Sequence, residues 1–239
     1  MYGWRAKIGL ITPMSENAEH AFHIYAPRGV SFSSMKIRFP GPTPEGLEIL
    51  VNQLEETAEK YKGYDLDLVV FGCTSGSCIK GFGFDKECIK TIERACGMPG
   101  LTTSTAVLEA YEALGLKKTA VLTPYPEETN IAEKKFLEDN GIEVTNIVGM
   151  DMSQFKKRGQ KFEAASEHFL YQHSKNMDLK GADVFFLSCM GLTTMEIIES
   201  LERDLGLPVI TSHQATLWAA LRHCGVGEKL PQFGRLFVL

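Results

Sequence analysis

The chain has 239 residues, of which 44% are hydrophobic and 23% are charged, and its formal net charge at pH 7 is −5. These values are ordinary for a globular protein, and the lack of a basic run or stripe argues against nucleic acid as a partner. No apolar stretch approaches the ~20 residues of a membrane helix, and the first residues do not resemble a secretory signal. We therefore expect no membrane attachment and a cytoplasmic location.

Short apolar runs alternate with amphipathic stretches along the chain. The apolar runs are continuous, rich in β-branched residues and end in proline, serine, threonine or cysteine, which is typical of strands buried on both faces of a parallel sheet. In chain order, the predicted elements are a strand at 8–11, a loop at 31–42, a helix at 45–61, a strand at 68–72, a helix at 85–95, a strand within 98–104, a helix at 104–114, a strand within 119–124, a helix at 126–140, a strand at 184–187, a helix at 195–205 and a strand within 207–213. This alternation predicts an α/β fold with right-handed crossovers.

An internal repeat of about half the chain length organises these elements. Three segments of the first half match three of the second half in the same order: 8–13 with 119–124, 68–74 with 183–190, and 98–104 with 207–213. The repeat predicts two pseudo-symmetric lobes, each a mostly parallel sheet flanked by helices. We place the first lobe at 1–115, with 212–239 packing back on it, and the second lobe at 116–211. The alternative is a single doubly wound sheet whose strands share composition.

Six cysteines occur, at positions 73, 78, 88, 96, 189 and 224. A chain of this length without a secretory signal is expected to keep them reduced. No Cys-x2-Cys or His-x3-His pair is present, so we expect no metal, and no dinucleotide-binding, P-loop or EF-hand pattern indicates a cofactor.

Two of the cysteines, Cys73 and Cys189, end matched strands of the repeat. Ligands of parallel α/β sheets bind at these carboxyl ends of the strands. Each cysteine is followed by small residues, and a strand-to-helix junction would favour the thiolate through backbone N–H groups and the helix dipole. The alternative is that both are small buried hydrophobes. The other four cysteines are predicted to be packing residues, with Cys78 supporting Cys73.

Two thiols facing each other across a cleft suit two kinds of chemistry. They can move a proton at a carbon next to a carboxylate, one thiol on each face, or one thiolate can add to a double bond. Both routes produce an enediolate-like charge that hydrogen-bond donors must stabilise. The candidate donors are Thr74, Ser75, the Gly191 backbone and the Tyr125 hydroxyl.

Motifs spread over nearly the whole chain carry a family resemblance. They are Gly-Leu-Ile-Thr-Pro at 9–13, Thr-Pro-Glu-Gly at 43–46, Gly-Cys-Thr-Ser-Gly-Ser at 72–77, Thr-Ser-Thr-Ala-Val-Leu at 103–108, Tyr125, Leu-Ser-Cys-Met-Gly-Leu at 187–192 and Gly-Arg-Leu-Phe at 234–237. With them the chain resembles the maleate cis-trans isomerase and arylmalonate decarboxylase branch of the aspartate/glutamate racemase superfamily. The resemblance implies an active site at the interface of two lobes and no metal or organic cofactor.

The resemblance also implies residue roles. In the isomerases the first-lobe cysteine, here Cys73, adds to the maleate double bond, and the second, here Cys189, assists by proton transfer. Tyr125 and Asn17 match the tyrosine and the first asparagine that hold the substrate carboxylates. A second such asparagine is not evident after position 150. The substrate-binding prediction is completed by residues of the two cysteine turns: Thr74, Ser75, Met190 and Gly191.

Three functions remain open from the sequence. In the decarboxylases of this branch a glycine replaces the first cysteine, so Cys73 favours an isomerase, with maleate to fumarate as the leading reaction. The motifs at 43–46 and 234–237 look more like the decarboxylases, which keeps a racemase or arylmalonate-type decarboxylase as the alternative. A non-catalytic protein that binds a small carboxylate is the third. In each case the partner is a small carboxylate or dicarboxylate, and a homo-oligomer is compatible with the sequence.

Overall fold

Two parallel four-stranded sheets form the centre of the computed structural model, which describes residues 3–15, 17–153, 155 and 164–239. The first sheet has the order β2-β1-β3-β4 and the second β6-β5-β7-β8, and every strand pair is parallel. The strands are β1 (Ala6–Pro13), β2 (Val30–Ile37), β3 (Leu68–Phe71), β4 (Gly100–Thr102), β5 (Lys118–Thr123), β6 (Glu143–Gly149), β7 (Val184–Leu187) and β8 (Val209–Thr211). The predicted α/β fold with two pseudo-symmetric lobes is confirmed.

Helices cover the faces of both sheets. They are α1 (Asn17–Tyr25), α2 (Pro44–Val51), α3 (Leu54–Glu59), α4 (Thr74–Cys78), α5 (Phe84–Cys96), α6 (Thr103–Leu114), α7 (Glu127–Asp139), α8 (Glu167–Lys175), α9 (Ile198–Leu205) and α10 (Ser212–His223), with 3-10 turns at Met195–Ile197, Pro231–Phe233 and Arg235–Val238. Their ends follow local rules. The Thr43 side chain accepts the Gly46 N–H at the start of α2, and Gly115 ends α6 in the left-handed conformation. Among the helices within the described ranges, none is both long and apolar enough to cross a membrane.

The central strands are buried on both faces because helices cover the two sides of each sheet. All residues of β3 and β7 are buried, and β5 is buried except at Lys118. This burial explains the continuous apolar runs in the sequence. The edge strands β2 and β6 are only partly buried, and they carry more polar residues than the central strands. The side chains of Thr145 and Asn146 in β6 donate to the carbonyl oxygens of Thr119 and Asp178.

Two sequence predictions about the first lobe are wrong. Residues 30–37, placed in a predicted loop, form the edge strand β2, whose polar residues obscured the strand pattern. The single helix predicted over 45–61 is divided into α2 and α3. Gln53 lies at the break, and its side chain accepts the Arg38 N–H and donates to the Arg38 carbonyl oxygen, which fastens the break to the preceding loop.

The lobes are joined through a pair of matched helices. The Thr216 hydroxyl on α10 donates to the Thr103 hydroxyl on α6 at 3.1 Å, so the C-terminal helix lies against a helix of the first half. Elsewhere, the Thr129 hydroxyl on α7 donates to the Pro42 carbonyl oxygen at 2.6 Å. The division of the chain into a first lobe (1–115 with 212–239) and a second lobe (116–211) stays a prediction.

Candidate active site

A pocket lies between the lobes at the carboxyl ends of β1, β3, β5 and β7, and it is called the cysteine pocket below. Its empty volume is about 320 Å³ with the mouth included, and the part wide enough for water is only about 20 Å³, roughly one or two molecules. Eleven of the described residues line it: Pro13, Ser15, Ala18, Phe39, Cys73, Thr74, Ser75, Tyr125, Cys189, Met190 and Gly191. The structure thus brings together the two cysteines and all but one of the predicted substrate-binding residues.

Cys73 occupies the first-lobe side of the pocket, at the junction of β3 and α4. It is the N-cap of α4 in extended conformation, and its Sγ accepts the Gly76 N–H at 3.3 Å. Glycine is required at position 76, because a Cβ there would lie 2.8 Å from this sulfur. The run of small residues after Cys73 therefore lets the backbone approach the thiol.

Burial makes the Cys73 thiol less acidic than the sequence suggested. The side chain is 4% exposed, and desolvation raises the pKa of Cys73 to about 11, while hydrogen bonds from Gly76 and Ser75 favour the thiolate. The backbone donor expected at this strand-to-helix junction does favour the thiolate, but desolvation outweighs it. A proton must therefore leave Cys73 before its sulfur can attack.

Cys189 occupies the second-lobe side in a different backbone conformation. Its φ is +129°, which makes it the one non-glycine residue with positive φ in the part of the chain described. Such a conformation costs about 1–3 kcal/mol and is found where surrounding contacts enforce it. Here the Cys189 N–H donates to Ser212 Oγ at 2.9 Å and Cys189 Sγ accepts the Gly191 N–H at 3.3 Å. The strand-to-helix junction predicted at Cys189 is wrong, because no helical residue follows Cys189 until Met195.

Ser212 links the two cysteine turns. Besides the Cys189 N–H, its Oγ accepts the hydroxyl of Thr74 at 2.8 Å. Thr74 directly follows Cys73, so one buried hydroxyl connects both halves of the site. In the sequence analysis Ser212 marks only a lobe boundary. Its position in the third repeat segment, 207–213, was the signal that could have identified it as a site residue.

Tyr125 contacts the second cysteine. Its hydroxyl is hydrogen-bonded to the Cys189 side chain, and burial, followed by the repulsion that an ionised Cys189 would exert, holds the pKa of Tyr125 well above its usual value. Its backbone is fixed by two residues that the sequence did not indicate. The Tyr125 N–H donates to Thr123 Oγ1 at 3.1 Å, and Asn130 Nδ2 donates to the Tyr125 carbonyl oxygen at 3.3 Å.

Asn17 lies beside the cysteine pocket and not on its wall. Its Nδ2 donates to the Gly191 carbonyl oxygen at 3.1 Å, and the residue lines a second cavity behind α1. His213 lies next to it, with Nε2 3.1 Å from the Asn17 carbonyl oxygen. Burial lowers the pKa of His213 to about 4, so this imidazole is neutral at pH 7. In this arrangement Asn17 supports the Cys189 turn through Gly191.

A buried acid that the sequence did not indicate lies behind the cysteine pocket. Glu133 on α7 is 2% exposed and accepts the Ser188 hydroxyl at 2.5 Å. Burial raises the pKa of Glu133 to about 7, although the Ser188 hydrogen bond lowers it. Ser188 directly precedes Cys189, so the acid contacts the strand end that carries the second thiol.

The remaining cysteines lie away from the pocket wall. Cys78, Cys88 and Cys96 are buried and Cys224 is partly exposed, and all are free thiols. The Cys78 thiol donates to the Ser75 carbonyl oxygen at 3.6 Å, one turn after Cys73. Within the described ranges, no cluster of three or more histidine, cysteine, aspartate or glutamate side chains could hold a metal ion.

Comparison with known sequences identifies relatives over nearly the full length. The model of a family described as arylmalonate decarboxylase matches residues 8–237. The arylmalonate decarboxylase of Bordetella bronchiseptica is 28% identical over 243 residues, which cover 96% of this chain and 95% of that protein. The maleate isomerase of Geobacillus stearothermophilus is 22% identical over 212 residues, which cover 86% of this chain and 83% of that protein.

Solved structures share the two-lobed fold. A variant of arylmalonate decarboxylase in a liganded form, with one glycine-to-cysteine and one cysteine-to-serine substitution, is 27% identical with a TM-score of 0.85. The match covers 97% of this chain and 98% of that one. A cysteine-to-serine variant of Nocardia farcinica maleate cis-trans isomerase, which carries a covalently bound succinylcysteine intermediate, has a TM-score of 0.88 at 18% identity. There the coverage is 97% of this chain and 98% of that one.

Proposed function

The chain belongs to the arylmalonate decarboxylase family, and from that premise we propose that it is a cofactor-independent isomerase of small unsaturated dicarboxylates, with maleate as the leading substrate. The observation that carries this proposal is the presence of two cysteines, Cys73 and Cys189, on opposite walls of one pocket. A glycine stands in place of the first cysteine in the decarboxylases that the sequence motifs resemble. A nucleophile at position 73 therefore supports addition chemistry over decarboxylation.

The proposed reaction begins after Cys73 has lost its proton. Its sulfur bonds to one olefinic carbon, and the π electrons move to the other carbon and its carboxylate, where Cys189 delivers a proton. The central bond is now single and rotates. Cys189 then takes the proton back, the carbon–sulfur bond breaks, and fumarate leaves with Cys73 again a thiolate. The succinylcysteine seen in the Nocardia farcinica enzyme is the intermediate of such a sequence.

The pocket offers neutral donors for the two carboxylates. None of the eleven described lining residues carries a charged side chain, and hydroxyl and backbone N–H groups are the donors they offer to the anion. We assign this role to Ser75, Thr74, Tyr125 and the backbone at Met190 and Gly191. Asn17 belongs to the same proposal and contributes through its contact with Gly191.

Pocket size also favours a small substrate. The water-accessible part is only about 20 Å³ and is bounded by Phe39 and Pro13, so an aryl ring would require a larger displacement of the walls than a four-carbon dicarboxylate. We further propose a cytoplasmic location, which six free thiols support.

A racemase or decarboxylase acting at the α-carbon of a carboxylate is the second candidate. The relative from Bordetella bronchiseptica, a decarboxylase, is more similar at 28% identity than the isomerase from Geobacillus stearothermophilus at 22%. Cys189 fits this chemistry as well, since a single thiol can protonate an enediolate from one face.

The discriminating experiment is proton NMR in D2O with maleate and, separately, with an arylmalonate. Formation of fumarate without carbon-bound deuterium supports the isomerase. Loss of CO2 or deuterium at an α-carbon supports the second candidate and contradicts the first. Binding of several carboxylates without turnover of any would indicate a non-catalytic binding protein.

A further inference from the structure

Glu133 is a buried acid that the proposed reaction does not use. It lies on α7 in the interior between the lobes, 2% exposed. One carboxyl oxygen, Oε1, accepts the Ser188 hydroxyl at 2.5 Å, whereas Oε2 is buried and has no hydrogen-bond partner. A carboxylate in this position would carry its charge on an oxygen that no donor stabilises.

The contact of Glu133 with Ser188 bears directly on the second thiol. Ser188 is held from two sides, because its N–H also donates to the Leu122 carbonyl oxygen at 2.9 Å. The next residue, Cys189, has a φ of +129°. A strained conformation persists only where neighbouring contacts enforce it, and Glu133 supplies one of the contacts immediately before the strained residue.

Within the part of the chain that the structure describes, the groups that interact with Glu133 provide no positive charge. The titratable groups that interact with it are Cys78 on α4, Tyr111 on α6 and Tyr125 after β5, all neutral acids. β6, which also packs against α7, carries one charged residue, Glu143, and this is exposed and paired with Lys118. An ionised Glu133 would therefore oppose every further negative charge in the site, including a thiolate.

We propose that Glu133 is a positioning residue that holds the Cys189 turn through Ser188 in its neutral form and restrains thiolate formation at Cys189 when it ionises. The proposal deepens the proposed function, on which it rests in taking Cys189 as the proton-transfer group. The proposal rests on the hydrogen bond to Ser188, the unpartnered Oε2 and the lack of a cation among the described groups that interact with Glu133. Ionisation near neutral pH follows from burial, which raises the pKa of Glu133 to about 7.

The test is the rate at which iodoacetamide alkylates Cys189, followed by peptide mass spectrometry between about pH 6 and about pH 9. Glu133→Gln keeps the size of the side chain and an acceptor for Ser188 but never ionises. Near pH 6 the wild-type acid is mostly neutral, so the two rates should agree within about twofold. At about pH 9 the wild-type protein carries the buried charge, and the glutamine variant should react about three- to tenfold faster.

Two further variants separate positioning from general damage. Glu133→Ala removes the acceptor of Ser188 and should change the alkylation rate of Cys189 by at least about threefold even near pH 6. Glu128→Gln changes an exposed acid on the same helix and should match the wild-type protein at every pH. Melting temperatures of all variants establish that the compared proteins are folded.

Alkylation needs no substrate, so its outcome is independent of the proposed function. A ratio of Glu133→Gln to wild-type rates that stays constant with pH would overturn the charge effect. An alanine variant that matches the wild-type rate near pH 6 would overturn the positioning role. If the ratios follow the expectation while maleate is not converted, the inference on Glu133 stands and the maleate proposal fails.

Discussion

The two cysteine turns occupy matched positions of the repeat but differ in how they hold the thiol. Cys73 is extended, with φ −145°, and caps a helix that begins at the next residue. Cys189 has a φ of +129° and is followed by a turn without helix until Met195. The repeat therefore conserves the location of the sulfur at a strand end and not the backbone that presents it. Local helix geometry fixes the first thiol, whereas a hydrogen-bond network fixes the second.

This difference between the two turns supports different proposed roles for the two thiols. The first turn offers two close donors to a thiol that is otherwise desolvated, which suits a nucleophile formed only when its proton is removed. In the second turn, Tyr125 and the Gly191 N–H are hydrogen-bonded to the thiol and Ser212 accepts the Cys189 N–H, which suits a proton donor whose position must be exact.

Replacement of the first thiol removes the nucleophile itself. Cys73→Ser is expected to lower kcat/KM for maleate by at least about 1000-fold, because a hydroxyl at this position is far less nucleophilic than a thiolate. Steady-state assay of fumarate formation measures the effect. Cys224→Ser, at a partly exposed thiol outside the pocket, is the matched control and should retain full activity. Full activity of the Cys73 variant would exclude covalent addition at this residue.

Replacement of the second thiol removes proton transfer but leaves the nucleophile. Cys189→Ser is expected to lower kcat about 100- to 1000-fold, the usual range for loss of a general acid–base group. Single-turnover measurements would locate the loss after substrate binding. A variant with wild-type kcat would show that the strained second turn has no part in the chemistry.

The pH dependence of the first thiol follows from its raised pKa. Since burial raises the pKa of Cys73 to about 11, the thiolate is a small fraction at neutral pH and grows about tenfold per pH unit. Alkylation of Cys73 should therefore increase about 100-fold from about pH 7 to about pH 9. Peptide mass spectrometry distinguishes Cys73 from Cys189 in the same sample. A rate that levels off near neutral pH would mean that the thiol is far more acidic than its burial implies.

Tyr125 connects the second thiol to the substrate side of the pocket. Tyr125→Phe removes a buried donor to Cys189 and to a bound carboxylate, with an expected cost of about 1.5–3 kcal/mol, or about 10- to 100-fold in kcat/KM. Asn130→Asp keeps an acceptor for the Thr123 hydroxyl but replaces the amide N–H that donates to the Tyr125 carbonyl oxygen. This variant should lower kcat/KM by a smaller factor than Tyr125→Phe. An unchanged kcat/KM in the phenylalanine variant would show that the Tyr125 hydroxyl contributes neither to substrate binding nor to proton transfer.

The sequence predicted the parts of the site that follow from strand ends. Continuous apolar runs located β1, β3, β5 and β7, and the repeat predicted two lobes whose strand ends carry Cys73 and Cys189. The family resemblance added Tyr125 to the same predicted site. The predicted family is confirmed by the match over residues 8–237.

Other features left no local trace in the sequence. A positive φ at a non-glycine residue is imposed by contacts from distant segments, so Cys189 was assigned a junction like that of Cys73. Glu133 resembles the solvated acids of α7 in sequence, and only packing between the lobes buries it. Asn17 was assigned to the substrate through the family resemblance, and the contact of its amide with Gly191 had no signal in the sequence.

The claim that Cys73 is the nucleophile and Cys189 the proton-transfer group can be tested in one variant. Cys189→Ser incubated with maleate should accumulate a covalent adduct, because water can supply the proton that completes the addition, whereas removal of that proton before elimination is slow without the thiol. Mass spectrometry of the digested protein should find the mass of one maleic acid molecule on the peptide that contains Cys73. An adduct on a different cysteine, or fumarate production at the wild-type rate without any adduct, would contradict this assignment of roles.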